Sequence, residues 1–412
     1  MTIFVSIAAY RDPELVPTIA DALRRARYPD DLRFGVCWQH GDDEAPPPEL
    51  GAGRMRVVDV PWRQSRGACW ARAQVMKLWD GEDFFLQLDS HHRFADGWDA
   101  LLLEQAERTG AAKPVLSTYA SAYDPNAAAP EPGAATRMLF DRFTPQGVAL
   151  FQWGAMPDGH ASSAPRRARF VSAHLLFSLG RFVEDVPYDP ELYFIGEEIT
   201  LAVRAFTHGY DLFHPGVHVA WHEYTRRGRV KHWDDHRAGQ GVEAPWHERD
   251  AVSLEKAQRF LVSPEVSRFG CGDVRSFRDY ETYAGLDFRR RFASRAAREG
   301  HEPAPPRIPK RGPHQTWIAR IELERSALPA EALSDPLFWY VGFHDGAGGE
   351  IARDDAGRQE LRRLLSGGDA RIVIERRFTS ADPPARWTVW PTDRRGRWLD
   401  RIDGPAEARC AA

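Results

Sequence analysis

The first 120 residues alternate short apolar runs with amphipathic stretches, and this alternation restricts the fold more than any other feature of the sequence. Residues 3–9 are apolar and partly β-branched, as a buried strand requires; Tyr10-Arg11-Asp12-Pro13 interrupts them, and residues 15–26 then carry apolar positions at helical spacing. Residues 32–39 and 56–60 read as two further strands separated by a proline-rich loop at 46–48. The spacing of Trp70, Ala73, Val75, Met76 and Trp79 predicts a helix over 68–79, and residues 83–89 return to a continuous apolar run. Strands without polar alternation, separated by helices, are buried on both faces, so the expectation is an α/β fold with a mostly parallel sheet flanked by helices. Ligands of such sheets sit at the carboxyl ends of the strands. Two polar clusters fall there: Tyr10-Arg11-Asp12 and Asp89-Ser90-His91-His92.

Further along, residues 114–119 read as a strand and 170–177 return to the core, while 124–135 and 154–169 are too rich in Gly and Pro for regular structure and read as loops near a substrate. Residues 196–209 read as a helix with Glu197 and Glu198 in its first turn and Gly209 at its end. Residues 301–315 have linker composition. Beyond them, runs such as 338–343 and 386–390 alternate in the manner of short strands. The expected organisation is therefore an enzyme-sized domain over 1–300, a linker over 301–315 and a small β-rich accessory domain over 316–412.

Composition excludes several functions. With 412 residues the chain has room for two or three domains, and 55 basic against 59 acidic side chains give a net charge of −4. No global basic field exists to hold nucleic acid, so any phosphate must meet a local site. The four cysteines, Cys37, Cys69, Cys271 and Cys410, are far apart and form no C-x-x-C pair, as expected of reduced thiols in the cytoplasm. No run approaches the ~18 apolar residues of a membrane span, and the start of the chain lacks the marks of a secretory signal.

Asp89-Ser90-His91 closes an apolar run, and an Asp-x-His turn can place a carboxylate and an imidazole on one side of a loop. Such ligands suit Mn²⁺, and Mg²⁺ less well. Taken alone, the tripeptide equally suits a helix-capping Asp beside an exposed His.

Seven blocks in one order bring a resemblance. Residues 3–13, 84–99 and 187–199, supported by 66–72, 113–119, 215–224 and 275–280, are similar to the polypeptide/hydroxyproline N-acetylglucosaminyltransferase family over roughly residues 1–295. The resemblance implies a GT-A glycosyltransferase fold, a UDP-hexosamine donor, a divalent metal (Mn²⁺ before Mg²⁺), a hydroxyl acceptor on a protein, peptide or small molecule, and retention of anomeric configuration. It implies Asp89, His91 and His222 as metal ligands. Ala8, Tyr10, Arg11, Arg66, Gly67, Arg72, Gln87, Ser90 and Arg226 would approach the donor, and Glu197 and Glu198 the reacting sugar. Arg226 and Arg227 would reach the diphosphate from a loop, although a solvated basic run over 226–231 is an equal reading.

The match departs at residues 171–175, where His174 stands in a segment usually built of small residues; a core position is the better reading for it. Residues 124–169, where acceptor contacts are expected, do not align. Trp153, Trp221, Trp233 and Trp246 could form a sugar platform, but tryptophan more often anchors a core. The histidines between 208 and 247 show no compact metal spacing and read as structural or solvated. Two other functions stay open: a nucleotide-sugar pyrophosphorylase, which would need a Gly-rich phosphate loop after the first strand, and a catalytically silent glycan- or nucleotide-sugar-binding protein.

Overall fold

Strand β1 (Ile3–Tyr10) leads through helix α1 (Leu15–Arg25) to β2 (Leu32–His40), β3 (Met55–Pro61), α2 (Ala68–Met76) and β4 (Phe84–Asp89). The computed structural model describes residues 1–51, 53–127, 130, 133–157, 163–306 and 315–410. Next come β5 (His92–Phe94), α3 (Trp98–Arg108), β6 (Pro114–Ser117), β7 (Ser121–Ala122) and a hairpin of β8 (Thr136–Phe143) and β9 (Ala149–Ala155). They are followed by β10 (Arg166–Arg167), β11 (Leu175–Leu179), α4 (Phe182–Asp185), α5 (Glu197–Thr207), β12 (Asp211–His214) and β13 (Ala220–His222). Helices α6 (His232–Asp235), α7 (Trp246–Val262) and α8 (Phe277–Ala284) pack afterwards. Parts of the two expected loops, residues 128–129, 131–132 and 158–162, lie outside the described residues.

The chain forms two compact units, Met1–Arg307 and Ile308–Ala412. Residues 307–314, within the expected linker, lie outside the described residues. In the first unit eight strands make one sheet in the order β10-β12-β6-β11-β4-β1-β2-β3. The β1, β2, β3 and β4 pairings are parallel, as is β6 with β12, whereas β11 runs antiparallel to both β4 and β6. The sheet is thus mostly parallel, with β11 inserted antiparallel and β10 antiparallel to β12 at one edge.

Packing sets the register that brings Asp89 to the sheet edge. Phe85 stacks with Phe4 and Phe182 at 6.4 and 5.9 Å on one face, and Leu86 and Leu88 join the cluster of Ile7, Phe94 and Trp98 on the other. Each large apolar side chain buried here contributes about 1.5–3 kcal/mol. Slipping β4 by one residue would exchange its faces and lose several such terms, so Asp89 stays opposite Ala8 at the carboxyl end of the sheet.

The segment from residue 170 returns to the core as expected. Residues 170–174 are buried but are not strand; β11 begins only at Leu175. Side chains take over the ladder's role: the Ser172 amide donates to Ser117 Oγ at 2.7 Å, and the Ser172 hydroxyl pairs with His174 Nδ1 at 3.0 Å.

The second unit has a three-stranded sheet of Arg371–Ser380, Gln315–Glu324 and Glu407–Cys410, and a five-stranded one centred on Phe338–His344 and Arg386–Pro391. Its own core includes Ile321, Trp339, Val341, Phe343, Ile374 and Val389.

Candidate active site

After Asp89 the chain turns through Ser90 and His91 and runs back as β5, which pairs with β13 so that His222 lies opposite His92. This pairing brings a residue 133 positions away onto the turn: Asp89 Oδ2 stands 3.3 Å from His222 Nε2 and 3.6 Å from His91 Nε2. One donor atom from each of Asp89, His91 and His222 lies within 4.8 Å of the others, the only such group of three or more found among the described residues. The donor set, one carboxylate and two imidazoles converging on a common point, fits a divalent cation.

The protonation states are set by what surrounds these groups. Burial alone would raise the Asp89 pKa, but Arg72, then hydrogen bonds from His222 and His91, hold it well below the usual carboxylate range. Burial holds His222 well below the ordinary histidine value, so its imidazole is neutral. For His91, burial is outweighed by the carboxylates of Asp12 and Asp89, and its pKa is raised. His91 Nδ1 has two neighbours at 2.7 Å, Asp12 Oδ2 and Arg229 Nη1. Only with its proton on Nδ1, donated to Asp12, does Nε2 offer a lone pair to a metal. The Asp12 side chain is buried, and it also accepts from Ser90 Oγ at 2.6 Å and from Arg229 Nη1 at 3.3 Å. Arg229 is fixed in turn by Glu223 Oε2 at 3.0 Å.

Behind Asp89 lies a buried guanidinium. Arg72 is 4% exposed; its Nη2 donates to Asp89 Oδ1 at 2.5 Å, and its Nη1 pairs with Glu197. Glu197 opens α5 after Gly196, whose φ of 100° and closeness to α7, where an added Cβ would sit 2.6 Å from Ala257 Cβ, require glycine there. Glu198, the next residue, accepts from the Tyr119 hydroxyl at 2.6 Å and from the Ala173 amide at 2.9 Å. Burial pushes its carboxyl up to about 7 against those two hydrogen bonds, with Glu197 alongside adding to the rise.

The other residues expected to contact the donor are distributed around this centre. Ala8 faces Asp89 across the strand pair, and Ser90 holds Asp12. Gln87 is turned inward, donating to the Ala173 carbonyl at 2.6 Å and the Tyr188 hydroxyl at 2.7 Å. Tyr10 and Arg11 are both held by Asp235 Oδ2 at 2.9 Å, and Arg11 also by Glu44 at 3.0 Å. Arg66 is half exposed and pairs with Glu243 at 3.2 Å. Gly67 precedes α2 with φ 104°, its missing Cβ leaving room for the Tyr193 ring. Arg226 extends over the Phe194 and Trp233 rings at 5.6 and 5.3 Å, and Arg227 is exposed.

His174 is buried as expected, yet it stacks on His222 at 4.2 Å and so belongs to the wall of the cluster. His232 and His236 are buried, stacked on each other at 3.7 Å beneath Tyr10, rather than solvated. Sequence reasoning placed Asp12 in a polar cluster at a strand end without assigning it a role, and it gave none to Tyr119 or Arg229. Asp12 had a signal, a carboxylate just past the carboxyl end of a parallel strand. Arg229 had none, because the two site residues it meets, His91 and Asp12, are 138 and 217 residues away.

A family model described as "Glycosyltransferase (GlcNAc)" matches residues 2–53 and 48–290. Among solved structures the chain is similar to "Crystal structure of GalNAc-T7 with UDP, GalNAc and Mn2+", at 16% identity and TM-score 0.47, covering 68% of this chain and 50% of that one. It is also similar to "Crystal structure of S. aureus TarS 1-349", at 11% identity and TM-score 0.32, covering 54% of this chain and 60% of that one. The chain thus spans half to three-fifths of the length of these two structures. No curated protein matches it.

Proposed function

We propose that the chain, which belongs to the glycosyltransferase (GlcNAc) family, is a UDP-sugar-dependent enzyme that transfers N-acetylglucosamine, or a related hexosamine, from UDP to a hydroxyl acceptor with retention of configuration. The observation that carries this reading is the convergence of Asp89, His91 and His222 at the carboxyl end of the sheet, beside the Arg72–Glu197 pair and Glu198. Asp89 and the Nε2 atoms of His91 and His222 would hold the metal, which when bound supplies positive charge to a departing diphosphate. Two imidazoles among three ligands favour Mn²⁺ over Mg²⁺.

The protein's own groups divide the remaining work. Arg72 keeps Asp89 ionised and aims its carboxylate, and Asp12 keeps the His91 proton on Nδ1. Arg66 and Arg226 are the proposed diphosphate contacts, while Tyr10 and Arg11 would reach the nucleotide by exchanging the Asp235 carboxylate for it. Glu197, tied to Arg72, fixes charge beside the reacting sugar. Glu198 is the carboxyl that titrates near neutrality, and as a carboxylate it has lone pairs left to accept the acceptor's hydroxyl proton. A polypeptide hydroxyl is the proposed acceptor.

The proposed compartment is the cytoplasm. Cys37, Cys69 and Cys271 are buried thiols, in keeping with reducing conditions. Among the described residues no helix is long and apolar enough to cross a membrane.

The test is release of UDP from UDP-N-acetylglucosamine with Mn²⁺, with and without EDTA, in the intact chain and in Asp89→Ala. Metal-dependent release that is lost in the variant supports the reading. Absence of release with every UDP-hexosamine tried, or full activity in Asp89→Ala, refutes it.

A further inference from the structure

A second cavity of about 510 Å³ lies between β8, β10, the end of β12 and residues 297–303, and it shares no residue with the Asp89 cluster. Four guanidinium groups line it, those of Arg137, Arg166, Arg167 and Arg169, against two carboxylates, Glu299 and Glu302. Both carboxylates are engaged. Glu302 pairs with Arg166 at 3.3 Å and accepts from the Arg167 amide at 2.9 Å; Glu299 pairs with Arg295 at 2.7 Å and with His301 at 3.4 Å.

The other three arginines reach no carboxylate among the described residues. Arg137 donates to the carbonyls of Ala155 and Gly300 at 2.9 and 2.7 Å, and Arg169 to those of Tyr283 and His301 at 2.8 and 2.9 Å. The Arg167 guanidinium lies 5.5 Å from the Phe213 ring centre. Arg169 is 8% exposed and its buried Nε has no hydrogen-bond partner. Carbonyls satisfy N–H groups but do not neutralise charge, and a buried cation without a counter-ion is costly. Burial, followed by repulsion from Arg166, lowers the Arg137 pKa, as an uncompensated cluster would.

We propose that this cavity binds a small oxyanion, a phosphate monoester or a carboxylate, carried on a compact apolar body. The guanidinium forks of Arg137 and Arg167 supply the charge-assisted hydrogen bonds. Met138, Phe140 and Phe170, all buried, supply an apolar floor for the rest of the ligand. The volume lies within the range usual for small-molecule sites.

Calorimetric titration in EDTA tests the proposal, using phenyl phosphate, phenylacetate and inorganic phosphate as separate probes on the full chain. Saturable binding of phenyl phosphate or phenylacetate in the millimolar range or tighter, stronger than that of inorganic phosphate, is expected, and whichever arm is tighter identifies the anion. Arg137→Ala and Arg167→Ala should each weaken it by roughly tenfold or more, with circular dichroism unchanged. Arg137→Ala also strands two carbonyls, so Arg167→Ala, whose side chain makes no such bond among the described residues, separates ligand loss from misfolding. No saturable binding by either organic probe, or unchanged affinity in Arg167→Ala, overturns the proposal.

Discussion

Replacing Arg72 with methionine should damage both the stability of the first unit and its metal site. The Arg72 guanidinium is 4% exposed and serves two carboxylates, Asp89 at 27% exposure and Glu197 at 5%. Deleting one partner of a buried ion pair costs about 3–5 kcal/mol, because the remaining charge is stranded in a poorly polarisable interior. Asp89 retains some solvent and recovers part of its hydration, which places the expected cost near the lower end, about 3 kcal/mol. At roughly 2–4 °C per kcal/mol for a domain of this size, the melting temperature of the first unit should fall by about 6–12 °C. The double variant Arg72→Met/Glu197→Gln removes the stranded carboxylate and should recover about 1–2 kcal/mol, a coupling expected only of groups in contact. Urea unfolding in EDTA, compared across wild type, both single variants and the double variant, measures these terms. A loss under about 1 kcal/mol in Arg72→Met, or no recovery in the double variant, would refute the claim that this guanidinium holds the site together.

Glu198→Gln should flatten the pH dependence of transfer. With its carboxyl raised from 4.5 to about 7, Glu198 is protonated below that value and cannot accept a proton, so wild-type kcat/KM should rise between pH 6 and about 8 and the variant should show no such rise. The stability sign is opposite: the raised pKa contributes stability that is full below the unfolded value and fades as pH rises through about 7, which unfolding midpoints across that range would show. Gly67→Ala should lower the melting temperature, since φ of 104° disfavours any side chain by about 1–3 kcal/mol and the new Cβ would stand 2.6 Å from the Tyr193 ring. Calorimetry showing an unchanged midpoint would count against that turn geometry.

The sequence disclosed those parts of the site that depend on neighbours along the chain. Strand β4 and its Asp89-Ser90-His91 turn were legible because an apolar run ending in polar residues is a local pattern. Helix α5 with its paired glutamates was legible for the same reason. His222 came from resemblance, since nothing in its spacing announces that β13 will pair with β5. Arg229 could be read as part of a solvated basic run, yet it is 14% exposed and wedged between Asp12 and Glu223. Residues 170–177 were legible as core, but the late start of β11 was not, because the Ser172 amide bonds to the Ser117 hydroxyl and the Ser172 hydroxyl to His174, contacts that no apolar pattern discloses. The β8–β9 hairpin was not legible because Gly- and Pro-rich stretches flank it on either side and a bulge between Phe140 and Arg142 breaks its register.

The central claim is that Asp89, His91 and His222 hold a divalent cation that serves a UDP-sugar. Titration of Mn²⁺ into the protein in the presence of UDP, followed by loss of the free-ion electron paramagnetic resonance signal, tests it most directly. One saturable site is expected in the wild type, weakened at least tenfold in Asp89→Ala and in His222→Ala. Equal Mn²⁺ affinity in all three proteins would contradict it.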